Sequence, residues 1–231
     1  MKDLKIQKLI WDSTFFGYKI GKIEIDKIID NEKFKNFLEK SSFQMIQIFS
    51  KIDLSHLLNL AHVDEKLTYS KKPSNNTKFN NINIRSVCED LDGTLFKLAK
   101  DAGEFSRYNK DTQLKLKFEL MYETWMKKSL ERDLADEVFA HKNKDIINGM
   151  VTVNKNLKNA EIGLISVNDK VKSKGIGSQL IKFVENWALI QNIENIFVST
   201  QKENYAACQF YEKNKFIIYD TTYIYHVWNK S

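Results

Sequence analysis

Residues 171–181 read VKSKGIGSQLI, and their types suit one piece of chemistry, the holding of an anion. Two of the chain's eight glycines, Gly175 and Gly177, stand one residue apart behind Lys172, Ser173 and Lys174. An apolar segment with helical spacing follows at once, so the pair marks the mouth of a helix. The first N–H groups of a helix have no intrahelical acceptor and act with the helix dipole on one point. Glycine there lets a phosphate reach the backbone with no Cβ in the way, and lysines at the rim add charge. A plain glycine turn flanked by solvated lysines explains the three residues GIG equally well. A dinucleotide fingerprint lacks its third glycine here, and no Lys and Ser/Thr pair follows Gly177 as a Walker loop requires.

The elements that must position this loop alternate along residues 81–231. Residues 81–87 (NINIRSV) alternate apolar and polar, which predicts a strand. Residues 89–102 predict a helix with Leu91, Leu95, Phe96, Leu98 and Ala99 on its apolar face, stopped by Gly103. Asp111 is expected to open a second helix, striped by Leu114, Phe118, Met121, Tyr122 and Trp125. Runs 137–141, 146–154 and 160–167, joined by short polar turns, predict three antiparallel strands. After the glycine loop come a helix over 176–191, a strand over 195–200, a helix over about 203–214 and two final strands. Residues 70–81 hold the only proline among asparagines, serines and lysines, which reads as a linker. The expected organisation is an extension over 1–70, a linker over 71–80 and a larger unit over 81–231.

Composition bounds the partners. With 231 residues, 42% hydrophobic and 29% charged, the chain has the make-up of a soluble globular protein. No apolar run approaches the roughly 18 to 20 residues of a membrane span, so no membrane association is expected. The first residues lack the apolar core of a signal peptide. Two cysteines, Cys88 and Cys208, make neither a disulfide framework nor a zinc spacing, so the expected compartment is the cytoplasm. The net charge of +6 comes from scattered lysines. Nucleic-acid binders concentrate charge on one face, so an anionic small molecule is the expected partner and nucleic acid is not.

The stretch VNDKVKSKGIGSQLIKFVENWA and the element order resemble the GCN5-related N-acetyltransferases (GNAT), whose acetyl-CoA loop reads Q/R-x-x-G-x-G/A. Here Lys172 replaces the usual Gln or Arg and keeps a charge. NYAACQFYEKNKF resembles the family's N-x-x-A-x-x-F-Y-x-x-x-G-F through Asn204, Ala207, Phe210, Tyr211 and Phe216, with Lys215 at the glycine position. The resemblance covers about residues 81–231. It implies an α/β (α+β) GNAT fold: a central mixed, mostly antiparallel sheet splayed into a V, flanking helices, and here a small N-terminal α/β extension. Acetyl-CoA is then the co-substrate and no metal is implied. By the same resemblance Leu164, Ile165 and Val167 pair with the pantetheine arm. Lys172, Ser173, Lys174, Gly175, Ile176, Gly177 and Ser178 take the pyrophosphate, while Asn204 and Ala207 lie beside the pantetheine. The acceptor amine attacks directly, and the Tyr211 phenol protonates the leaving CoA thiolate. The alternatives are that Asn204 merely begins a helix and that Tyr211 packs in the core with Phe210. Cys208 reads as a small buried residue.

Two further stretches bear on the acceptor. LIWDSTFFGYKIGKI (9–23) clusters Trp11, Phe15, Phe16 and Gly17 in what otherwise reads as a plain surface strand. AGEFSRYNKDTQLKLKFELMYETWMKKSL (102–130) joins two helices. Their W-x-x-x-F-F-G and F-S-R-Y/F patterns resemble the TDP-fucosamine acetyltransferase group, which acts on the 4-amine of a nucleotide-linked 4-amino-4,6-dideoxyhexose. The resemblance implies acceptor contacts from Phe15, Phe16, Gly17, Arg107 and Tyr108. Arg107 would clamp a sugar diphosphate and the aromatic faces would stack on base or sugar. A structural arginine among core aromatics is the alternative. Acetylation of a peptide N-terminus, polyamine or antibiotic, and a non-catalytic acetyl-CoA-binding regulatory module, are the competing functions. Glu161, Glu137 and His141 stand on predicted strands as candidate bases, and a water relay would also serve. A homodimer is compatible with this reading.

Overall fold

The computed structural model describes residues 4–27, 30–58, 62–74 and 83–229. The strands are β1 (Gln7–Lys8), β2 (Ile20–Ile25), β3 (Met45–Ser50), β4 (Asp64–Lys71), β5 (Ile84–Ser86), β6 (Glu137–Asn143), β7 (Ile146–Asn156), β8 (Asn159–Val167), β9 (Asn195–Gln201) and β10 (Ile217–Trp228). The helices are α1 (Ile10–Phe16), α2 (Asn31–Glu39), α3 (Ser55–Leu58), α4 (Thr94–Ala102), α5 (Arg107–Lys110), α6 (Phe118–Leu130), α7 (Ile176–Ile190) and α8 (Tyr205–Lys213).

All ten strands join one sheet in the order β1-β2-β3-β10-β4-β9-β8-β7-β6-β5. Only the β2–β3 and β8–β9 pairs are parallel, so the sheet is mixed and mostly antiparallel. The first four strands, β1 to β4, are hydrogen-bonded into it on both sides of β10. β3 pairs with one edge of β10, and β4 fills the place between β10 and β9. Of the expected linker, 75–80 lie outside the described residues, as do residues 81 and 82 of the first predicted strand.

Side-chain alternation along the strands sends two sets of apolar residues to opposite faces. One face carries α4 and α6 against Val138, Ala140 and Met150, with α1 and α5 against Ile20 and Met45. We call it the front. The back carries α7 and α8 against Leu67, Tyr69, Val151, Val153 and Val198, and α2 against Ile23, Ile46 and Ile48. Leu180, Ile181, Val184 and Ala188 form the buried stripe of α7, and Phe183 and Trp187, which with Leu180 and Val184 mark the apolar face in the sequence, are half-buried beside it.

Several expectations change. The aromatic segment near Trp11 is a helix: Gly17, at φ 82°, closes α1 by donating its N–H to Ser13 O, and the strand starts only at Ile20. α4 begins at Thr94 and Leu91 is 83% exposed, so that residue is not on the buried stripe. The helix expected from Asp111 starts at Phe118, because α5 and a 3-10 turn over Lys115–Lys117 come first. Asp111 is itself buried and binds β10 through His226 Nδ1 (2.7 Å) and Trp228 Nε1 (2.9 Å), which pins α5 to the sheet. The two final strands are one, β10, with a register shift between Ile218 and Asp220.

Candidate functional site

β8 and β9 pair only from Asn159↔Asn195 to Ile162↔Val198. Beyond that point they part. β9 runs on to Gln201 with β4 as its partner, and β8 runs on to Val167 with β7 as its partner. The gap between them is the V of the fold. A β-bulge opposite Thr152 turns β8 at the start of the gap, and the Leu164 N–H donates to Thr152 Oγ1 at 2.9 Å. Bulges re-aim a strand and break its ladder. Leu164 therefore has its N–H already engaged, whereas Ile165 and Val167 lie in the stretch whose β9 edge has no strand.

The chain leaves β8 through a 3-10 turn over Asp169–Val171 and enters α7 by two left-handed residues, Ser173 (φ 63°) and Gly175 (φ 81°). The two glycines do different jobs. A Cβ on Gly175 would meet nothing within 4 Å. Its backbone angle calls for glycine, and the space above it is open. A Cβ on Gly177 would fall 2.9 Å from the Phe210 ring, so this glycine lets α8 close on α7 and makes no room for a phosphate. Ile176 is turned into the core, while Ser178 is half-buried. Lys172, Ser173 and Lys174 are exposed. Lys172 is ion-paired with Asp169 at 2.5 Å; Lys174 has no ion pair among the described residues. First-turn N–H groups, an open approach and an unpaired lysine fit a pyrophosphate.

α8 carries the second motif. Asn204 caps it, its side chain accepting the Ala207 N–H at 3.1 Å, so these two residues bind one another. Tyr211 is 4% exposed and packs among Tyr69 (ring centroids 5.6 Å apart), Phe210 and Phe216. Burial, and secondarily the Cys208 thiol, raise its phenol well above the ordinary value. It therefore stays protonated and keeps a proton to donate. Cys208 is half-buried, with its thiol toward the Gln201 and Lys202 carbonyls.

On the front face the expected acceptor aromatics are packed together. Phe16 stacks on Tyr108 (5.9 Å, 6°), Trp11 stacks on Phe15 (4.8 Å, 12°), and Trp125 lies against Trp11, Tyr108 and Tyr122. Phe16 and Tyr108 are each 5% exposed, so their ring faces are used on one another. Gly17 is exposed at the end of α1. Arg107 opens α5. Its Nη2 donates to the Tyr108 hydroxyl at 2.8 Å, its guanidinium lies over the Tyr108 and Phe49 rings, and its buried Nε has no partner among the described residues. The arginine is thus held over the floor of the front face and is not extended as a free clamp.

That floor has two residues the sequence reading missed, Asp64 and Lys66 of β4. Asp64 is 1% exposed, and neither carboxylate oxygen has a hydrogen-bond partner of good geometry among the described residues. Burial raises its proton affinity, against the pull of Arg107 and Lys110 and of the nearby Gln201 amide. Lys66 is half-buried and forms no ion pair among the described residues. Burial and then Arg107 lower its pKa. It lies where two front-face cavities meet. One, of about 790 Å³, is lined by Lys22, Phe49, Lys51, Asp220 and Thr222 among others; the second, of about 340 Å³, is lined by Thr68, Glu161, Phe197 and Ser199. The alternation of charged Asp64 and Lys66 with apolar Leu67 and Tyr69 is a half-buried strand signature, the one signal that could have found this pair.

Of the other candidate bases, two stand apart and one shares a cavity with Lys66. Glu137 binds Arg132 (3.2 Å) and the Ser86 hydroxyl (2.6 Å) at the β5–β6 edge. His141 is buried on β6, which lowers its proton affinity. Glu161 faces the smaller cavity.

Residues 102–216 match the model of the acetyltransferase (GNAT) family. Solved structures of the same fold include a conserved protein of unknown function from Staphylococcus epidermidis, at 13% identity over 98% of this chain and 91% of that one, TM-score 0.63. An acetyltransferase of the GNAT family from Colwellia psychrerythraea is 14% identical over 85% of this chain and 71% of that one, TM-score 0.55. The PaiA N-acetyltransferase of Thermoplasma acidophilum, in complex with coenzyme A, is 16% identical over 64% of this chain and 99% of that one, TM-score 0.50. No curated protein matches the sequence.

Proposed function

We propose, from the premise that this chain is a GNAT acetyltransferase using acetyl-CoA, that its acceptor is a nucleotide-linked amino sugar. On the donor side the α7 entrance takes the CoA pyrophosphate, and the pantetheine arm adds to the free edge of β8 as an extra strand. The amine attacks the thioester directly, and Tyr211 supplies a proton to the departing sulfur.

The observation that carries the acceptor reading is Lys66. A half-buried ammonium without a counter-ion costs stability unless something anionic completes it. This one stands at the junction of two cavities, on the front face and away from the CoA loop. The larger cavity falls within the roughly 300–1,000 Å³ of small-molecule sites. Of the other lysines lining it, Lys22 pairs with Glu24 (2.6 Å), Lys33 with Asp30 (3.6 Å) and Lys51 with Asp220 and Thr222, while Lys27 is exposed at its rim. Lys66 is therefore the half-buried cation left for a phosphate, and Arg107 beside it adds a second positive field. This reassigns the phosphate contact from Arg107, whose guanidinium is committed to Tyr108 and Phe49.

The test is a mass-spectrometric screen of TDP- and UDP-linked amino sugars, spermidine and peptide amines with acetyl-CoA. A nucleotide amino sugar, the 4-amino-4,6-dideoxyhexoses foremost, should be acetylated best, and the same sugar without its nucleotide poorly. Ready acetylation of spermidine or peptides, with every nucleotide sugar ignored, would overturn the acceptor reading and leave the acetyltransferase standing.

A further inference from the structure

We infer that Asp64 is the base that receives the acceptor amine and takes its proton. The inference rests on the acceptor reading above and deepens it.

Position comes first. β4 runs antiparallel to β9, with Lys66 opposite Gln201 at the end of β9. Asp64 lies two residues further on and on the same face, because side chains alternate. It therefore stands past the tip of β9, beside the opening of the V, where a thioester threaded along β8 would present its carbonyl. Along β4 an unpartnered carboxylate and an unpartnered ammonium follow one another two residues apart, about 7 Å at the rise of a strand. An amino sugar nucleotide has the complementary pattern, an ammonium at one side of a pyranose ring and a phosphate at the other, at a separation of the same order.

The chemistry of the surroundings comes second. Buried carboxylate oxygens nearly always accept hydrogen bonds, and one left with none is destabilising. Asp64 is faced by Arg107 and Lys110 from α5, Tyr122 from α6 and Gln201 from β9, with Lys66 on its own strand. Lys110 is drawn off to Glu203 (2.7 Å) and to the Val63 carbonyl. Arg107 holds Tyr108. Arg107 and Lys110 pull against the burial that raises the proton affinity of Asp64, and none of the cations hydrogen-bonds its oxygens. Nearby, the Gln47 amide and His226 Nε2 are also buried without partners among the described residues, and Gln47 and His226 are cross-strand neighbours on the same face. Donors and acceptors are thus left without partners together on the front face, the face that also carries the cavities that Lys66 lines.

The step balances. The acceptor ammonium gives one proton to Asp64, and the neutral nitrogen attacks the thioester carbonyl carbon. The C–N bond forms and the C–S bond breaks. A second proton from that nitrogen ends on the departing sulfur by way of the Tyr211 phenol, leaving an amide and the CoA thiol. Asp64 returns its proton to solvent.

The experiment compares wild type, Asp64→Asn and Asp64→Glu by CoA-thiol release from pH 6 to 10. The acceptors are TDP-4-amino-4,6-dideoxygalactose, spermidine and a peptide amine, and Tm is measured alongside. We expect Asp64→Asn to lower kcat/KM by about 10²-fold at pH 7, with acetyl-CoA binding unchanged. The deficit should close as pH rises and the amine loses its proton unaided, and Asp64→Glu should recover part of the rate. Asp64→Asn should melt at or above wild type, because a group kept for chemistry against its burial cost does not hold the fold together. An unchanged kcat/KM, a deficit that does not vary with pH, or a marked fall in Tm would overturn the inference and make Asp64 a structural counter-ion. If wild type ignores the nucleotide sugar but acetylates another amine, the acceptor reading fails while the variant ratio on that amine still decides the role of Asp64.

Discussion

The proposed donor and acceptor sides of this molecule are built by opposite means. On the donor side the proposed contacts are local: Ser173, Gly175 and the first turn of α7 are neighbours in sequence, and the groups proposed to bind are backbone N–H groups. On the acceptor side the floor is assembled from β2, β3, β4 and β10, and roofed by α5, with residues as far apart as Asp64, Arg107 and His226 in one cluster. A local site can be changed at one residue without touching the rest. A site spread over five elements couples binding to the core, and its aromatic residues, Phe16 and Tyr108 above all, were used up in holding α1 and α5 on the sheet.

The largest effect that would sharpen this contrast is on the donor side. Gly175→Val forces a β-branched residue into a left-handed conformation. The loop should rearrange, and acetyl-CoA affinity should fall by 100-fold or more. The domain should stay folded, since nothing lies within 4 Å of the new Cβ. The stabilisation normally given by acetyl-CoA in a melting assay should then vanish. Normal CoA binding by the variant would break the comparison. Tyr211→Phe comes next, with kcat reduced by about 10²-fold and acetyl-CoA KM little changed. An unimpaired kcat would return Tyr211 to a purely packing role beside Tyr69.

On the acceptor side Lys66→Met should raise acceptor KM about 10-fold, worth about 1.4 kcal/mol, while CoA binding is unchanged. Arg107→Lys should disturb both the acceptor KM and the stability, because the guanidinium also stacks on Tyr108 and Phe49. An effect on KM with no change in Tm would make it a free clamp after all. The smallest expected effect is on stability against pH. Asp64 has its proton affinity raised above the ordinary value of 3.8 in the fold, so its charged form is disfavoured there. That penalty is full above the folded pKa and gone below the ordinary one. The Tm advantage of Asp64→Asn should therefore be largest, a few degrees, near pH 8, and should shrink as pH falls toward 4. A gap that widens on acidification would contradict the burial argument.

Much of the fold was legible in particular residues. Leu180 and Val184 announced α7, and the runs around Phe139, Val151 and Ile162 announced β6, β7 and β8. The register of the V was not legible. It depends on where β8 stops pairing with β9, and a bulge at Thr152 leaves no mark in hydrophobic periodicity. The aromatic cluster at Trp11, Phe15 and Phe16 was equally visible and was given to the ligand, because exposed and buried aromatics look alike in sequence. Gly177 illustrates the same ambiguity at one atom: phosphate approach and helix–helix approach both demand the missing Cβ, and only the position of Phe210 separates them.

By itself the sequence determined the elements whose causes are local, namely helix and strand periodicity, the left-handed turn at Gly175, the cap at Asn204 and the motif spacing that marks the acetyltransferase domain. Only the tertiary structure decided that β4, from the first 70 residues, is inserted between β9 and β10. Strand order is set by which apolar faces can be buried together, over sequence separations of up to 170 residues or more, as between Leu54 and Tyr225, and no short-range pattern records it. That insertion puts Asp64 and Lys66 beside the open V. The reason a carboxylate and an ammonium can be left there unpaired is also tertiary: their neighbours Arg107, Lys110, Lys22 and Lys51 are each drawn to other partners by the fold.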